Sequence, residues 1–265
     1  MNLIFLKLGG SLITKKDIPF SENKFLIKRL AQEIHEARKE KNFRLLIGNG
    51  GGSYPHVPAQ KYRTKEGIIN KQSLKGIAEV QDSASRLNRI IVRALIDSKE
   101  NAVSVQPSSA CLAKNSRIIE FYSKPLEMIL KKDMIPVVYG DVVFDLVKGC
   151  GIISTEEFFV FLAKKLNPSR VIYGGIVDGV FNADPFKNPK AKFVSKITLK
   201  NYQEIRTKLS GSAGIDVTGG MLHRIDKCIE LAERGIESYI INGSAKYRVK
   251  NALLKRKVIG TIIQK

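Results

Sequence analysis

The chain has 265 residues, 43% of them hydrophobic and 26% charged, with a formal net charge of +20. This is the balance of an ordinary globular protein, long enough for one large domain or two small ones with an ample core. A run of about 18 apolar residues, the mark of a transmembrane helix, does not occur, and three scattered cysteines with no CxxC pair argue against a disulfide framework or a zinc site.

The opening MNLIFLKLGGS reads as a strand over Leu3–Leu8 that runs into a glycine turn. It lacks the basic head and cleavage site of a signal peptide, so the expected compartment is the cytoplasm, with no membrane partner. Apolar positions at spacings of three and four predict a helix over Phe25–Lys39. A strand over Arg44–Ile47 leads into GNGGGSYPH, residues 48–56. A second helix, Leu74–Asp97, carries Ile77, Val80, Ala84, Leu87 and Ile91 as one apolar stripe, which is more often plain core than a binding surface. Strands follow at Val103–Gln106 and Ile135–Tyr139, and the turn-rich stretch Val147–Ser154 is expected at a hairpin. Strands at Arg170–Tyr173 and Ser238–Ile241 complete the pattern. Strand–helix alternation predicts an α/β fold with a mostly parallel sheet covered on both faces, in two lobes. Ligands in such sheets gather at the carboxyl ends of the strands.

Three glycine turns are expected: KLGGS (Lys7–Ser11), GNGGGS (Gly48–Ser53) and DVTGGM (Asp216–Met221). None fits the P-loop or dinucleotide fingerprint. Each nevertheless lets backbone N–H groups converge on an oxyanion, and three in one chain point to a substrate carrying several phosphates. Cations match them: Lys7 precedes Gly9 and Gly10, Lys15 and Lys16 follow, and Arg224 lies one helical turn beyond Gly220. Phosphoryl transfer needs such parts, because charge builds on the non-bridging oxygens. The lysines are spread along the whole chain without a basic arm. A solvated surface and a polyanionic small-molecule site account for them, and no nucleic-acid partner is expected.

Taken together, LKLGGS, GGGSYPH, VQPSS, PVVYGDVVFD, VDGV and SGSAGIDVTGGM resemble the amino acid kinase superfamily and, within it, the isopentenyl phosphate kinase family. The resemblance covers nearly the whole chain. It implies a three-layer α/β/α sandwich, usually a homodimer, with a phosphate-acceptor lobe over about residues 1–165 and a nucleotide lobe over about 166–265. It also implies ATP and Mg2+ as cofactors, with no side chain assigned as a metal ligand. By the resemblance, Lys7, Gly9, Gly10 and Ser11 surround the transferred phosphoryl group and Lys16 stabilises the transition state. Gly51 and Gly52 offer N–H groups to the acceptor and ATP phosphates, and His56 holds the acceptor's phosphate. Thr155, Ile77 and Ala84 join the acceptor site, where Ser83, Ala84 and Ser85 leave room for a five-carbon chain. Asp178, Gly179, Gly220 and Arg224 fall on the ATP side. Glu156 stands where the family has an aspartate thought to orient the catalytic lysines. A monophosphate acceptor has a second pKa near 6 and needs no general base near neutrality. Other readings remain open: a fosfomycin-type or other small phosphate acceptor, a non-catalytic ligand-binding member, or a basic RNA-binding protein.

Overall fold

The first strand, β1 (Leu3–Leu8), is buried along its whole length. Its side chains divide between two cores: Leu3 and Phe5 enter one, Ile4, Leu6 and Leu8 the other. Period-two alternation requires this of a central strand covered on both faces. The structure is a computed structural model, and it describes residues 1–15, 18–210 and 216–265; Lys16 lies outside the described residues.

After β1 come α1 (Gly10–Ile13), α2 (Lys24–Glu40), β2 (Arg44–Asn49), α3 (His56–Lys61) and the long α4 (Gln72–Asp97). The middle of the chain supplies β3 (Ala102–Ser104), β4 (Cys111–Lys114), β5 (Arg117–Phe121), α5 (Lys124–Lys131) and β6 (Ile135–Tyr139). A hairpin of β7 (Asp141–Asp145) and β8 (Gly149–Ile153) precedes α6 (Thr155–Leu166) and β9 (Arg170–Gly175). The remainder holds β10 (Val180–Phe181), β11 (Phe193–Val194), β12 (Lys196–Thr198), α7 (Tyr202–Ser210), α8 (Asp216–Glu233), β13 (Glu237–Asn242), α9 (Arg248–Leu253) and β14 (Gly260–Gln264).

Eight strands form one sheet in the order β12-β14-β13-β9-β1-β2-β6-β3. All neighbours are parallel except β13 and β14. Strands from residue 170 onward lie on one side of β1, and those up to residue 139 lie on the other. The chain therefore reverses its direction of growth at β1, and a crevice opens at the carboxyl end of that strand. Residues of α2, α4 and α9 pack one face, and residues of α5, α6 and α8 pack the other. This is the expected three-layer α/β/α sandwich.

The six predicted strands and two predicted helices are all present. β2 runs on to Asn49 and β9 to Gly175, because both strands carry the chain to the lip of the crevice. A second sheet, β5-β4-β7-β8, was not anticipated beyond the hairpin that contains Val147–Ser154. One glycine expectation is corrected: DVTGGM is not a turn, since α8 already begins at Asp216. The three cysteines are buried, as expected of small hydrophobes. Among the described residues, no helix is long and apolar enough to cross a membrane.

Candidate active site

Parallel pairing sets Lys7 beside Gly48 and Leu8 beside Asn49, so β1 and β2 deliver their glycine loops side by side. The loops are stitched to the sheet: Gly9 N–H donates to Gly174 O at 2.8 Å, and Gly50 N–H donates to Leu8 O at 2.9 Å. They then touch backbone to backbone. A Cβ on Gly50 would lie 2.6 Å from Gly10 N, and one on Gly10 would fall on the backbone of Gly52. Gly52 itself has φ +55°, a left-handed conformation that side chains resist. The bare backbone is thus required first by the opposite loop. α1 starts at Gly10 with Gly9 as its cap. The first N–H groups of a helix have no carbonyl within it, and Gly10 and Ser11 supply such groups just past the carboxyl end of β1.

Beneath the loops sits a buried charge cluster. Odd-numbered residues of β1 face α6 and α8, so Lys7 points away from Leu6 and Leu8. Its ammonium pairs with Glu156 Oε1, and the same oxygen receives Arg224 Nε from α8 at 3.2 Å. Lys7 and Glu156 are 6% and 4% exposed. Burial, aided by Arg224, holds Lys7 below the usual lysine range, while Glu156 opposes the shift. Burial alone would raise the Glu156 carboxyl, but Lys7 and then Arg224 outweigh it and bring it down to about 2. Glu156 lies in the first turn of α6, whose cap Ser154 accepts from Glu157 N–H at 3.2 Å. A carboxylate there also gains from the helix dipole.

The other expected site residues are placed as follows. His56 is exposed and opens α3, four residues past Gly52. Gly51 packs against Pro55. Thr155 is buried at the start of α6, and its hydroxyl donates to Asn49 O at 2.7 Å. Ile77 and Ala84 are buried on α4. The stripe divides: Leu87 and Ile91 enter the large core, whereas Ile77 and Val80 form a small separate cluster with Val142 and Cys150. Asp178 lies on the loop after β9, held by Arg248 and by Asn242 Nδ2 at 3.3 Å. Gly179 is buried against Thr261. Gly220 is on α8, with open space where a side chain would project. Arg224, one turn further along that helix, reaches toward Gly175 at the end of β9. The structure thus brings Lys7, Glu156 and Arg224 into contact, and Gly10 against Gly52.

Two glycine loops in backbone contact beside a cluster of two cations and a carboxylate suit a phosphotransferase, and known proteins with this chain's pattern agree. The model of the amino acid kinase family matches residues 2–242. The isopentenyl phosphate kinase of Methanothermobacter thermautotrophicus is 37% identical over 98% of this chain and 98% of its own. That of Methanocaldococcus jannaschii is 34% identical over 95% of both. The chain belongs to the amino acid kinase family, in its isopentenyl phosphate kinase branch. A solved isopentenyl phosphate kinase structure, 34% identical, superposes with a TM-score of 0.86 over 99% of this chain and 100% of its own.

In this amino acid kinase, two groups to which the sequence assigned no site role bear on the glycine loops. Asn49, at the end of β2, accepts from Asn88 Nδ2 at 2.9 Å, and Asn88 in turn accepts from Ser104 Oγ at 2.6 Å. This polar chain, buried at Asn49 and Asn88 and half-buried at Ser104, carries β3 and α4 to the root of the second glycine loop. Its one sequence signal was an asparagine inside an apolar helix stripe, Asn88 next to Leu87. The other group is Thr14, whose hydroxyl touches both glycine loops.

Proposed function

We propose that this kinase transfers the γ-phosphoryl group of ATP to the phosphate of isopentenyl phosphate, giving isopentenyl diphosphate and ADP. The observation that carries the proposal is the backbone contact between the loops at Gly10 and Gly52, which brings two anion cradles end to end over Lys7, Glu156 and Arg224. The full-length likeness to isopentenyl phosphate kinases names the acceptor. The acceptor phosphate is already anionic near neutrality, so the barrier is repulsion between two anions, and fixed cations and N–H dipoles lower it.

In this reading Gly9, Gly10 and Ser11 cradle the transferred group, and Lys7 and Lys16 neutralise the charge that spreads over it. His56 and Gly51 hold the acceptor phosphate, with Thr155, Ile77 and Ala84 on the acceptor side. Gly52, Asp178, Gly179, Gly220 and Arg224 serve the nucleotide, and Glu156 fixes Lys7 and Arg224. Mg2+ arrives as the counter-ion of ATP, bound mainly through phosphate oxygens and water. The proposal includes an acceptor lobe over about 1–165, a nucleotide lobe over about 166–265, and a cytoplasmic homodimer.

The test is direct. Purified protein with ATP, Mg2+ and isopentenyl phosphate is followed by coupled ADP release and by phosphorus NMR for the diphosphate product. Isopentenyl phosphate is expected to stimulate ADP release well above the acceptor-free rate, and fosfomycin is not. If isopentenyl phosphate leaves the rate at the acceptor-free level, the proposal fails.

A further inference from the structure

The contact between the two glycine loops has a pin. Thr14, immediately after α1, is 4% exposed, and its hydroxyl is engaged on both sides. It donates to Gly10 O at 2.8 Å and accepts Ser53 N–H at 3.1 Å. The result is a continuous chain, Ser53 N–H to Thr14 Oγ1–H to Gly10 C=O, running from the β2 loop to the β1 loop. A Cβ on Gly52 would fall on this hydroxyl, so the left-handed turn at Gly52 and the position of Thr14 are set together. Ser53 is further tied to the segment behind it, accepting Phe20 N–H at 3.2 Å through its carbonyl and Ser21 N–H at 3.3 Å through its hydroxyl. Tyr54 then donates to Glu22 at 2.5 Å.

We infer that Thr14 is a positioning residue for phosphoryl transfer: its hydroxyl sets the separation of the two phosphate-holding loops. The inference rests on the proposed kinase reading. Each loop has its own tie to the sheet, through Gly9 to Gly174 and Gly50 to Leu8, so each can bind its phosphate without Thr14. The distance between the two bound phosphates is what the hydroxyl controls. Reacting atoms must approach within about 3–3.5 Å, and a misplacement of about 1 Å costs about a hundredfold in rate. Loss of the pin therefore acts on kcat and leaves KM for either substrate close to its original value.

Thr14→Val keeps the volume and removes the hydrogen bonds, whereas Thr14→Ser keeps the hydroxyl and removes a methyl group. For Thr14→Val we expect kcat to fall about 10- to 100-fold, with both KM values within about threefold of the original. Thr14→Ser is expected to restore kcat to within about threefold of wild type. Amide hydrogen exchange gives a readout independent of turnover: Ser53 N–H loses protection in Thr14→Val and keeps it in Thr14→Ser. Unchanged kcat in Thr14→Val, or equal losses in the two variants, would overturn the inference. A wild-type protein inert toward isopentenyl phosphate would refute the activity instead. Thr14 would then be judged by the Ser53 amide, and retained protection in Thr14→Val would refute the pin.

Discussion

Glu156 carries two cations on one carboxylate oxygen, Lys7 and Arg224, in a place where water contributes little screening. Removing one member of a buried ionic cluster typically costs about 3–5 kcal/mol, because the remaining charges are left uncompensated. Glu156→Gln is therefore expected to lower stability by about that amount near neutrality, and to depress kcat by about a hundredfold or more by freeing Lys7. The pH dependence follows from the carboxyl being held at about 2 rather than 4.5. A depressed acid stabilises the fold fully above its unfolded value and loses that contribution as pH falls toward the folded value. This shift corresponds to about 3 kcal/mol. Urea titrations between neutral pH and acid should show the gap between wild type and Glu156→Gln shrinking steadily below about pH 5. A gap that stays constant down to pH 3 would show that the carboxylate is not stabilised by its charge. The three members of this cluster could be named from their motifs, and the resemblance implied that Glu156 orients the catalytic lysines; that Arg224 shares the same carboxylate oxygen was not implied. That sharing depends on odd residues of β1 facing α6 and α8, a choice of face that alternation alone leaves open. Thr14 was less legible still, since a threonine between an isoleucine and two lysines has no pattern to announce it.

Among the elements, the long buried strands of the main sheet were readable because they are apolar on both faces. The second sheet was not, and β7 shows why. Its sequence is DVVFD, and simple partition would put Phe144 inside and the aspartates out. Instead Asp141 and Asp145 are buried and Phe144 is 55% exposed. Asp145 is satisfied by four backbone donors from two turns. Asn115 and Ser116, between β4 and β5, donate at 3.1 and 2.6 Å; Val147 and Lys148, between β7 and β8, donate at 2.9 and 3.0 Å. Burial pushes this carboxyl up, but the donors prevail and hold it below the usual aspartate range. Asp145 is thus a clasp between two hairpins, and β8 leads directly into Ser154 and Glu156. Asp145→Ala should cost about 2–4 kcal/mol and expose the amides of Asn115, Ser116, Val147 and Lys148 to rapid exchange. Exchange confined to wild-type rates at these four positions would show that the turns hold their shape without the clasp. Asp141 has the opposite balance: burial lifts it to about 6 against the pull of Ser108. The main sheet was legible through side-chain pattern, while the small sheet is organised by a side chain bonding to backbone, which pattern cannot report.

For the whole molecule the outstanding property is the charge of +20. In the proposed reaction both substrates are polyanions, so this charge acts on their approach as well as on their binding. The fixed cations beside the glycine loops are paired, Lys7 buried and Arg224 half-buried, and salt screens such groups weakly. The many exposed lysines are screened strongly, since the Debye length falls from about 30 Å at 0.01 M salt to about 3 Å at 1 M. The two populations can be separated kinetically. Raising KCl from about 20 mM to about 500 mM should lower kcat/KM for ATP and for isopentenyl phosphate by about three- to tenfold, through loss of electrostatic steering. kcat should change by less than about twofold, because in the proposed reaction the chemistry depends on Lys7, Glu156 and the loop contacts rather than on the outer field. A neutral osmolyte at matched viscosity should reproduce neither effect. If kcat/KM is indifferent to salt, the lysine-rich surface plays no part in gathering substrate. If kcat itself collapses with salt, the screened surface and the reacting centre are coupled, and the separation drawn between them is wrong.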